Sequence, residues 1–411
     1  MMELINLIIN TNSLKLKTKV KNKTLIWVSF LILDVHLHKT SRIEILENLS
    51  KRGYNVYLIA VSSKRKYVNK YKNVNIITIP IRCIPIISQI IFAGVIFFIL
   101  PYYILILNPD YIVTEPGPSI FGFLYFPILY HFRNFKIILD IRSHPVAAFE
   151  FKGYVRNLFF NISVIYSKEF FNGITIITNS MKMYICNKFN INSDFIGVWT
   201  SGVSLNLFDP NKYSKESKYL RQKFGFNNKF IIFYHGNVGK NRGIIEWIKS
   251  IRFINENIDL VYFILGEGNI LSKIKHYIEK YGFQNRVFLH NSVDYENVPK
   301  YIAMSNIGII PLPDLPDWKY QCPLKLLEYL SMQKAVILTD IESHREIVKQ
   351  NKSAIFIKTI NEEEIAKAIT YAYENKMYLD KISIDGRKIV KEKYAWEKIA
   401  RNFDDYMSNL N

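Results

Sequence analysis

Short β-branched runs alternate with helical stretches along most of this chain, and that alternation limits its fold more than any other feature. In the first half, strands are expected at Leu25–Phe30, Asn55–Val61, Asn75–Ile79, Tyr111–Thr114, Lys136–Leu139 and Ile174–Ile177. In the second half, they are expected at Phe195–Trp199, Phe230–Tyr234, Val261–Leu265, Val287–Leu289, Ile307–Ile310, Ala335–Leu338 and Ala354–Ile357. A helix over Ile43–Lys51 follows from Ile43, Ile45, Leu46 and Leu49 at roughly helical spacing, with Arg52-Gly53 as its end. Further helices are expected around residues 243–254, 269–281, 296–304, 323–332, 342–349 and 361–374. Such alternation implies parallel sheets joined by right-handed crossovers. The fold class is therefore α/β, with two Rossmann-like domains facing across a cleft. The stretch Thr200–Pro210, with its Ser, Gly, Asn and Pro, is the expected hinge.

The 411 residues suffice for two or three domains. Hydrophobic residues at 49% and charged residues at 22% exclude a disordered chain. Cys83, Cys186 and Cys322 are far apart, which excludes a disulfide framework and a Cys-rich zinc module and fits a reducing compartment. Lys and Arg number 54 against 35 Asp and Glu, a net charge of +19. That balance implies an anionic partner: nucleic acid, an anionic membrane surface or a phosphorylated substrate. Residues 1–75 hold 14 Lys/Arg against four acids, a local +10, and Lys15, Lys17, Lys19, Lys21 and Lys23 alternate with uncharged residues before the first strand. No secretory signal is expected, because Leu4–Ile9 is too short for an apolar core and no small-residue cleavage site follows.

From Cys83 to Pro109, 27 consecutive positions are uncharged. The core, Ile86–Leu107, is long enough to span a bilayer as a helix, although Pro101 is expected to interrupt it. Both flanks read as strands of one domain, so a single crossing would divide one sheet between two sides of a membrane. The expectation is a helix lying in the membrane interface or packed on the sheet, and the same holds for Ile120–Phe132. Two buried core helices are the alternative.

Three segments of the second half carry candidate chemistry. His235–Gly243 (HGNVGKNRG) follows a strand and opens a helix; Gly236, Gly239 and Gly243 permit close backbone approach, and Lys240 and Arg242 add positive charge. This is a phosphate site in outline, without Walker spacing; a basic surface turn is the plainer reading. Leu265–Gly268 (LGEG) ends the next strand and is also a simple tight turn. In Cys322–Asp340, Pro323 starts a helix, Lys325 opposes the dipole in its first turn, and Glu328 follows one turn later. A cation so placed suits a ligand anion, and the carboxylate suits two hydroxyls, as on a ribose; a surface Lys–Glu pair is the alternative. In the first half, Leu139–Pro145 (LDIRSHP) follows a strand and offers Asp140, Arg142 and His144, the last suited to acid–base work near neutral pH. Glu115-Pro116-Gly117 is a further strand-end turn.

Taken in order, these segments resemble the retaining glycosyltransferases of GT-B fold, the large group 1 (family 4) that includes bacterial and archaeal mannosyl- and N-acetylglucosaminyl-transferases. Residues 24–61 resemble the family's opening strand–helix–strand. Gly197–Pro210 resembles its interdomain signature, with Thr200-Ser201 in place of the commoner Pro-Asn. Gly236–Gly243 resembles the donor loop, and Pro323–Ile337 the P-x-K-L-x-E-Y helix. The resemblance implies a hexosyltransferase and a nucleotide-sugar donor, UDP- or GDP-linked. Donor-binding residues would be Gly236, Gly239, Lys240, Arg242, Gly266, Lys325, Leu326 and Glu328. Arg242 and Lys325 would take the diphosphate and Glu328 the ribose, with no metal and no cofactor. Asp140 and His144 are the catalytic candidates. The family's first carboxylate falls on Tyr320, with Asp314 and Asp317 on the preceding loop as substitutes. The implied organisation is a basic extension (1–23), an acceptor domain (24–200) carrying the membrane-associating segment 83–109, a donor domain (201–390), and a helix crossing back (391–411). The acceptor is expected to be lipid-linked or a membrane-bound glycan, and the enzyme cytoplasmic and peripheral at the inner face of an anionic membrane. A nucleotide-sugar epimerase, an inverting GT-B enzyme and a non-catalytic basic binding protein are the alternatives. No helix–turn–helix, zinc or RNA-binding motif supports a nucleic-acid partner.

Overall fold

The computed structural model describes residues 22–33, 39–62, 71–81, 84, 87–129, 134–145, 151–348 and 353–410. The lysine run before Lys23, Cys83, Ile86 and residues 130–132 lie outside them. The chain divides into two compact units, Met1–Thr200 with Trp396–Asn411, and Ser201–Ala395.

In the first unit, seven strands form one sheet among the described residues: β1 (Thr24–Ile32), β2 (Asn55–Ser62), β3 (Asn75–Pro80), β4 (Tyr111–Thr114), β5 (Lys136–Ile141), β6 (Gly173–Ile176) and β7 (Ile196–Val198). Their order is β3-β2-β1-β4-β5-β6-β7, with every pairing parallel. Strand β7, the last before the expected hinge, pairs with β6 through Ile174↔Ile196 and closes the edge of the first sheet. Periodicity identifies a strand without identifying its neighbour, and here the neighbour decides.

The second unit holds β8 (Phe230–His235), β9 (Leu260–Leu265), β10 (Val287–His290), β11 (Ile307–Ile310), β12 (Ala335–Thr339) and β13 (Ile355–Ile357), in the order β10-β9-β8-β11-β12-β13. All residues of β8, β9, β11 and β12 are buried, as expected of parallel strands covered on both faces. Strand order reverses between β8 and β11 here and between β1 and β4 in the first unit. Loops diverge at such points and leave a crevice at the carboxyl ends of the strands.

The uncharged segment forms one continuous helix, Ile87–Leu107, through Pro101. Proline removes one backbone hydrogen bond, and the packed residues Leu100, Tyr103 and Ile104 on both sides of it carry the helix on. Phe92, Ile96 and Leu100 are fully buried, whereas Phe98 is 78% and Leu105 62% exposed. The helix is long and apolar enough to cross a membrane, yet it connects β3 and β4 of a single sheet. It therefore lies along its unit with one apolar face covered and one open. The following segment is a 3-10 turn (Pro118–Phe123) and a short helix (Phe126–Leu129) that leave Phe121, Leu124 and Ile128 exposed. Helices Phe151–Phe170, Asn179–Phe189 and Lys376–Lys393 were not among the sequence expectations.

The helix Trp396–Ser408 belongs to the first unit. Its buried residues Trp396, Ile399, Ala400, Phe403 and Met407 fall on one helical face and join Trp27 and Trp199 in the core. Phe403 packs 5.0 Å from Trp199 and 5.8 Å from Trp27. Tyr54 donates to Asp404 at 2.6 Å. Gly197 admits the Tyr406 ring, since a Cβ there would stand 2.4 Å from it. Gly197→Ala should therefore dislodge Tyr406 and lower stability by about 1–3 kcal/mol. Urea unfolding would show this as a lower midpoint, and limited proteolysis as cleavage within residues 396–408.

Candidate functional site

Glycines set the shape of the second unit's loops. Gly236 leaves β8 at φ 103°. Its N–H donates to the Leu265 carbonyl at 2.9 Å, and the Val238 N–H donates to Glu267 at 2.8 Å. The two strand-end loops are thus laced together, and a Cβ on Gly266 would stand 1.9 Å from the Gly236 carbonyl. Gly243, at φ 66°, would meet the Pro311 carbonyl at the same distance. Both are packing glycines. Gly236 has another use: a Cβ there would lie 3.5 Å from Lys325 Nζ, so its absence leaves space over the ammonium.

Lys325 enters this space from the helix Leu324–Ser331. Its Nζ is out of solvent, has no hydrogen-bond acceptor among the described residues, and lies 3.8 Å from the centre of the Tyr234 ring. Burial, then the charge of Arg242, holds the ammonium well below the ordinary lysine range, with Glu328 opposing. Arg242 lies over Trp318 at 4.5 Å, and the Trp318 indole is fixed by donating to the Asn241 carbonyl at 2.7 Å. Arg242 also acts on the Tyr234 hydroxyl, which donates to the Asn237 carbonyl at 2.7 Å.

Glu328 is 4% exposed. Its Oε1 accepts from the Tyr295 hydroxyl at 2.9 Å, and its Oε2 lies 3.3 Å from His235 Nε2. Burial pushes its carboxyl up to about 7, while the Tyr295 hydrogen bond and Lys325 pull it down. His235 is held well below its ordinary value by burial and then by Lys325, so it is neutral. Its ring stacks on Phe233 and meets Tyr329 edge-on.

The structure thus brings together Gly236, Arg242, Lys325 and Glu328 of the sequence candidates. Lys240 is exposed on the loop, and a Cβ on Gly239 would stand 3.0 Å from the Asn237 side chain. Leu326 is fully buried, and its N–H donates to the Pro323 carbonyl, so its side chain serves the core. Asp314 lies 3.8 Å from Lys319, and Tyr320 ends the Pro316–Lys319 helix. Sequence reasoning missed Tyr234, His235 and Tyr295 as members of the cluster. The first two end the strand that feeds the glycine loop, a position that signals them; Tyr295 has no local signal.

In the first unit, Asp140 is fully buried. Its Oδ1 accepts from Trp199 Nε1 at 2.9 Å and Thr175 Oγ1 at 2.8 Å, and its Oδ2 lies 3.9 Å from Arg142 Nε. The Arg142 guanidinium lies 3.6 Å over the Trp199 ring and donates to the Trp199 carbonyl. Glu115 accepts from Trp27 at 3.2 Å and pairs with Arg42. His144 is partly buried, its Nε2 3.2 Å from the Tyr184 hydroxyl. Asp140 thus anchors Trp199 and the end of β7.

Residues 216–389 match the family model described as "Glycosyl transferases group 1". That match lies within the second unit, Ser201–Ala395. An uncharacterised glycosyltransferase of Methanocaldococcus jannaschii is 22% identical over 56% of this chain and 57% of its own length. The chain spans about half the length of the curated relatives it matches. A solved glycosyltransferase from Rickettsia africae superposes with TM-score 0.72 at 17% identity, over 95% of this chain and all of that one. Anabaena HepE, solved in complex with UDP and glucose, gives 0.72 at 12% identity over 95% of this chain and all of its own. The chain shares with these structures the GT-B fold, the two-unit α/β architecture described above.

Asp140→Ala should strand a buried indole N–H and a buried hydroxyl, at a cost of about 2–4 kcal/mol, whereas Asp140→Asn keeps an acceptor for both. Burial raises Asp140 in the folded state to about 6, above its ordinary 3.8. The native state therefore binds a proton that the unfolded chain has lost, and this group adds stability as pH falls from 6 toward 4. Urea midpoints across that range should show the gain in the native protein and its loss in Asp140→Asn.

Proposed function

We propose that this chain transfers a hexose from a nucleotide-sugar donor, UDP- or GDP-linked, to a lipid-linked or otherwise membrane-bound glycan acceptor, with retention of anomeric configuration. The observation that carries this reading is the Lys325 ammonium, buried over Tyr234 without an acceptor, beside the space that Gly236 leaves open. Burial and Arg242 disfavour the ammonium form of Lys325, and an anion beside Nζ favours it. A diphosphate supplies that anion, with Arg242 as the second cation, and Glu328 one helical turn away suits the ribose hydroxyls. In this reading the leaving diphosphate is neutralised by side chains, without a metal or other cofactor. The UDP and glucose in the complex of similarly folded HepE fit the same donor class.

The open face of the Ile87–Leu107 helix, with Ile87, Ile90, Ile91, Phe98, Leu105 and Ile106 exposed, supports peripheral attachment to an anionic membrane at the cytoplasmic face. The +10 excess of residues 1–75 has the right sign for such a surface. A nucleic-acid partner is no part of this reading.

Two measurements test it. A thermal-shift screen of UDP- and GDP-sugars should raise the melting temperature with one donor class, and Lys325→Met or Glu328→Ala should weaken that binding at least tenfold. Nucleotide release with a membrane extract, and the anomeric configuration of the product by NMR, then test transfer and retention; absence of donor binding overturns the reading. For the membrane, the double variant Ile91→Glu with Phe98→Glu should abolish flotation with anionic vesicles and leave donor binding within twofold.

A further inference from the structure

The carboxylate assigned above to the ribose is already held by another side chain. Tyr295 occupies the 3-10 turn Tyr295–Asn297, which leads into the helix Val298–Met304, and its hydroxyl meets Glu328 Oε1 at 2.9 Å. Its ring packs 5.5 Å from Phe208, which fixes the direction of the phenol. Glu328 is almost wholly buried, and a buried carboxylate tends toward the protonated form. A protonated Glu328 has one oxygen fewer to offer a vicinal diol. An ionised one with free rotation about its last bond would meet the diol in many wrong orientations. A phenol donating to one oxygen corrects both faults, because it stabilises the charge and fixes the plane of the carboxylate. An ionised carboxylate has about four acceptor positions, so with Tyr295 on Oε1 and His235 Nε2 3.3 Å from Oε2 two positions remain for ribose hydroxyls.

We propose that Tyr295 is a positioning residue for nucleotide recognition: it fixes Glu328 as an acceptor for the 2′- and 3′-hydroxyls of a ribonucleoside diphosphate. This rests on the donor reading above and goes beyond it, because it assigns ribose selectivity to a pair of side chains rather than to Glu328 alone. The other titratable groups that bear on the carboxylate are Lys325 and Tyr329 on its own helix and His235 on β8, and Arg242 acts on Lys325. None of them is altered by the change Tyr295→Phe, which keeps the ring against Phe208.

The test is calorimetric titration with UDP, GDP, their 2′,3′-dideoxy counterparts and inorganic pyrophosphate. At pH 7, Tyr295→Phe should weaken the preferred ribonucleotide at least fivefold and leave its dideoxy counterpart and pyrophosphate within twofold. Pyrophosphate binding also reports that the variant is folded around Lys325. In the native protein, the preference for ribose over dideoxyribose should decline as pH falls through about 7, where Glu328 takes up its proton. In Tyr295→Phe, which lacks a hydrogen bond that favours the ionised form, that decline should move to higher pH. In a Glu328→Gln background, the same change should add less than twofold. Equal losses for ribo- and dideoxy-nucleotides would mean a merely structural role. An unchanged or tighter ribonucleotide affinity would mean that the phenol only occupies the ribose position. Either result overturns the proposal. A native protein that binds none of the nucleotides would instead sink the donor reading, and this proposal with it.

Discussion

Parallel strand pairing is the constraint from which the rest of this molecule follows. Each strand of a unit points the same way, so each must be followed by a crossover, and the loops that leave the carboxyl ends collect on one edge of the sheet. In the second unit those loops follow β8, β9 and β11, and they are packed closely enough to touch backbone to backbone. Gly266 faces the Gly236 carbonyl and Gly243 the Pro311 carbonyl at distances that no side chain tolerates. The glycines are therefore a result of the topology as much as of any ligand. Lys325 and Glu328 come from the second helix after β11, the strand next to β8 in the sheet, which is why residues some 90 positions from the glycine loop meet it.

The electrostatics of the cluster have a common direction. Burial drives Lys325 and His235 toward their neutral forms and Glu328 toward its protonated form. Burial thus disfavours charge on all three groups. An anion beside Lys325 would reverse the balance, since it would favour the ammonium form, and that charge would in turn favour ionised Glu328. The first unit shows what a settled site looks like by contrast. There Asp140 has two donors on one oxygen, and Arg142 lies against Trp199. Its polar groups hold aromatic rings in place, and no buried cation lacks a counterpart among those described.

Much of this was legible in the sequence, for identifiable reasons. The strands are short, β-branched and buried on both faces, so they stand out from their surroundings, and each expected strand has an observed one. Ile196–Val198 precedes the hinge at Thr200–Pro210, and its place at the edge of the first sheet depends on the neighbour it pairs with. Helices such as Phe151–Phe170 mix aromatic, polar and charged residues without a clear start signal, and they went unrecognised. At the site, Lys325 and Glu328 were legible because a three-residue spacing puts them on one helical face, whereas Leu326 points into the core. Tyr295 lies 33 residues from Glu328 and meets it only because the chain folds. Pro101 failed as a helix breaker because packing on both sides of it outweighs one lost hydrogen bond.

The first unit is interrupted: its sheet ends at Val198, the second unit runs from Ser201 to Ala395, and only then does Trp396–Ser408 supply five side chains to the first core. A ribosome makes these parts in that order. The second unit is contiguous and has all its partners as soon as residue 395 has emerged. The first must wait, with Trp27 and Trp199 uncovered, while nearly two hundred further residues are made. Its apolar helix, Ile87–Leu107, is already made when that interval opens. The order of synthesis thus gives the nascent chain a long period in which its most apolar segment is available to a membrane or a chaperone before its own domain is complete.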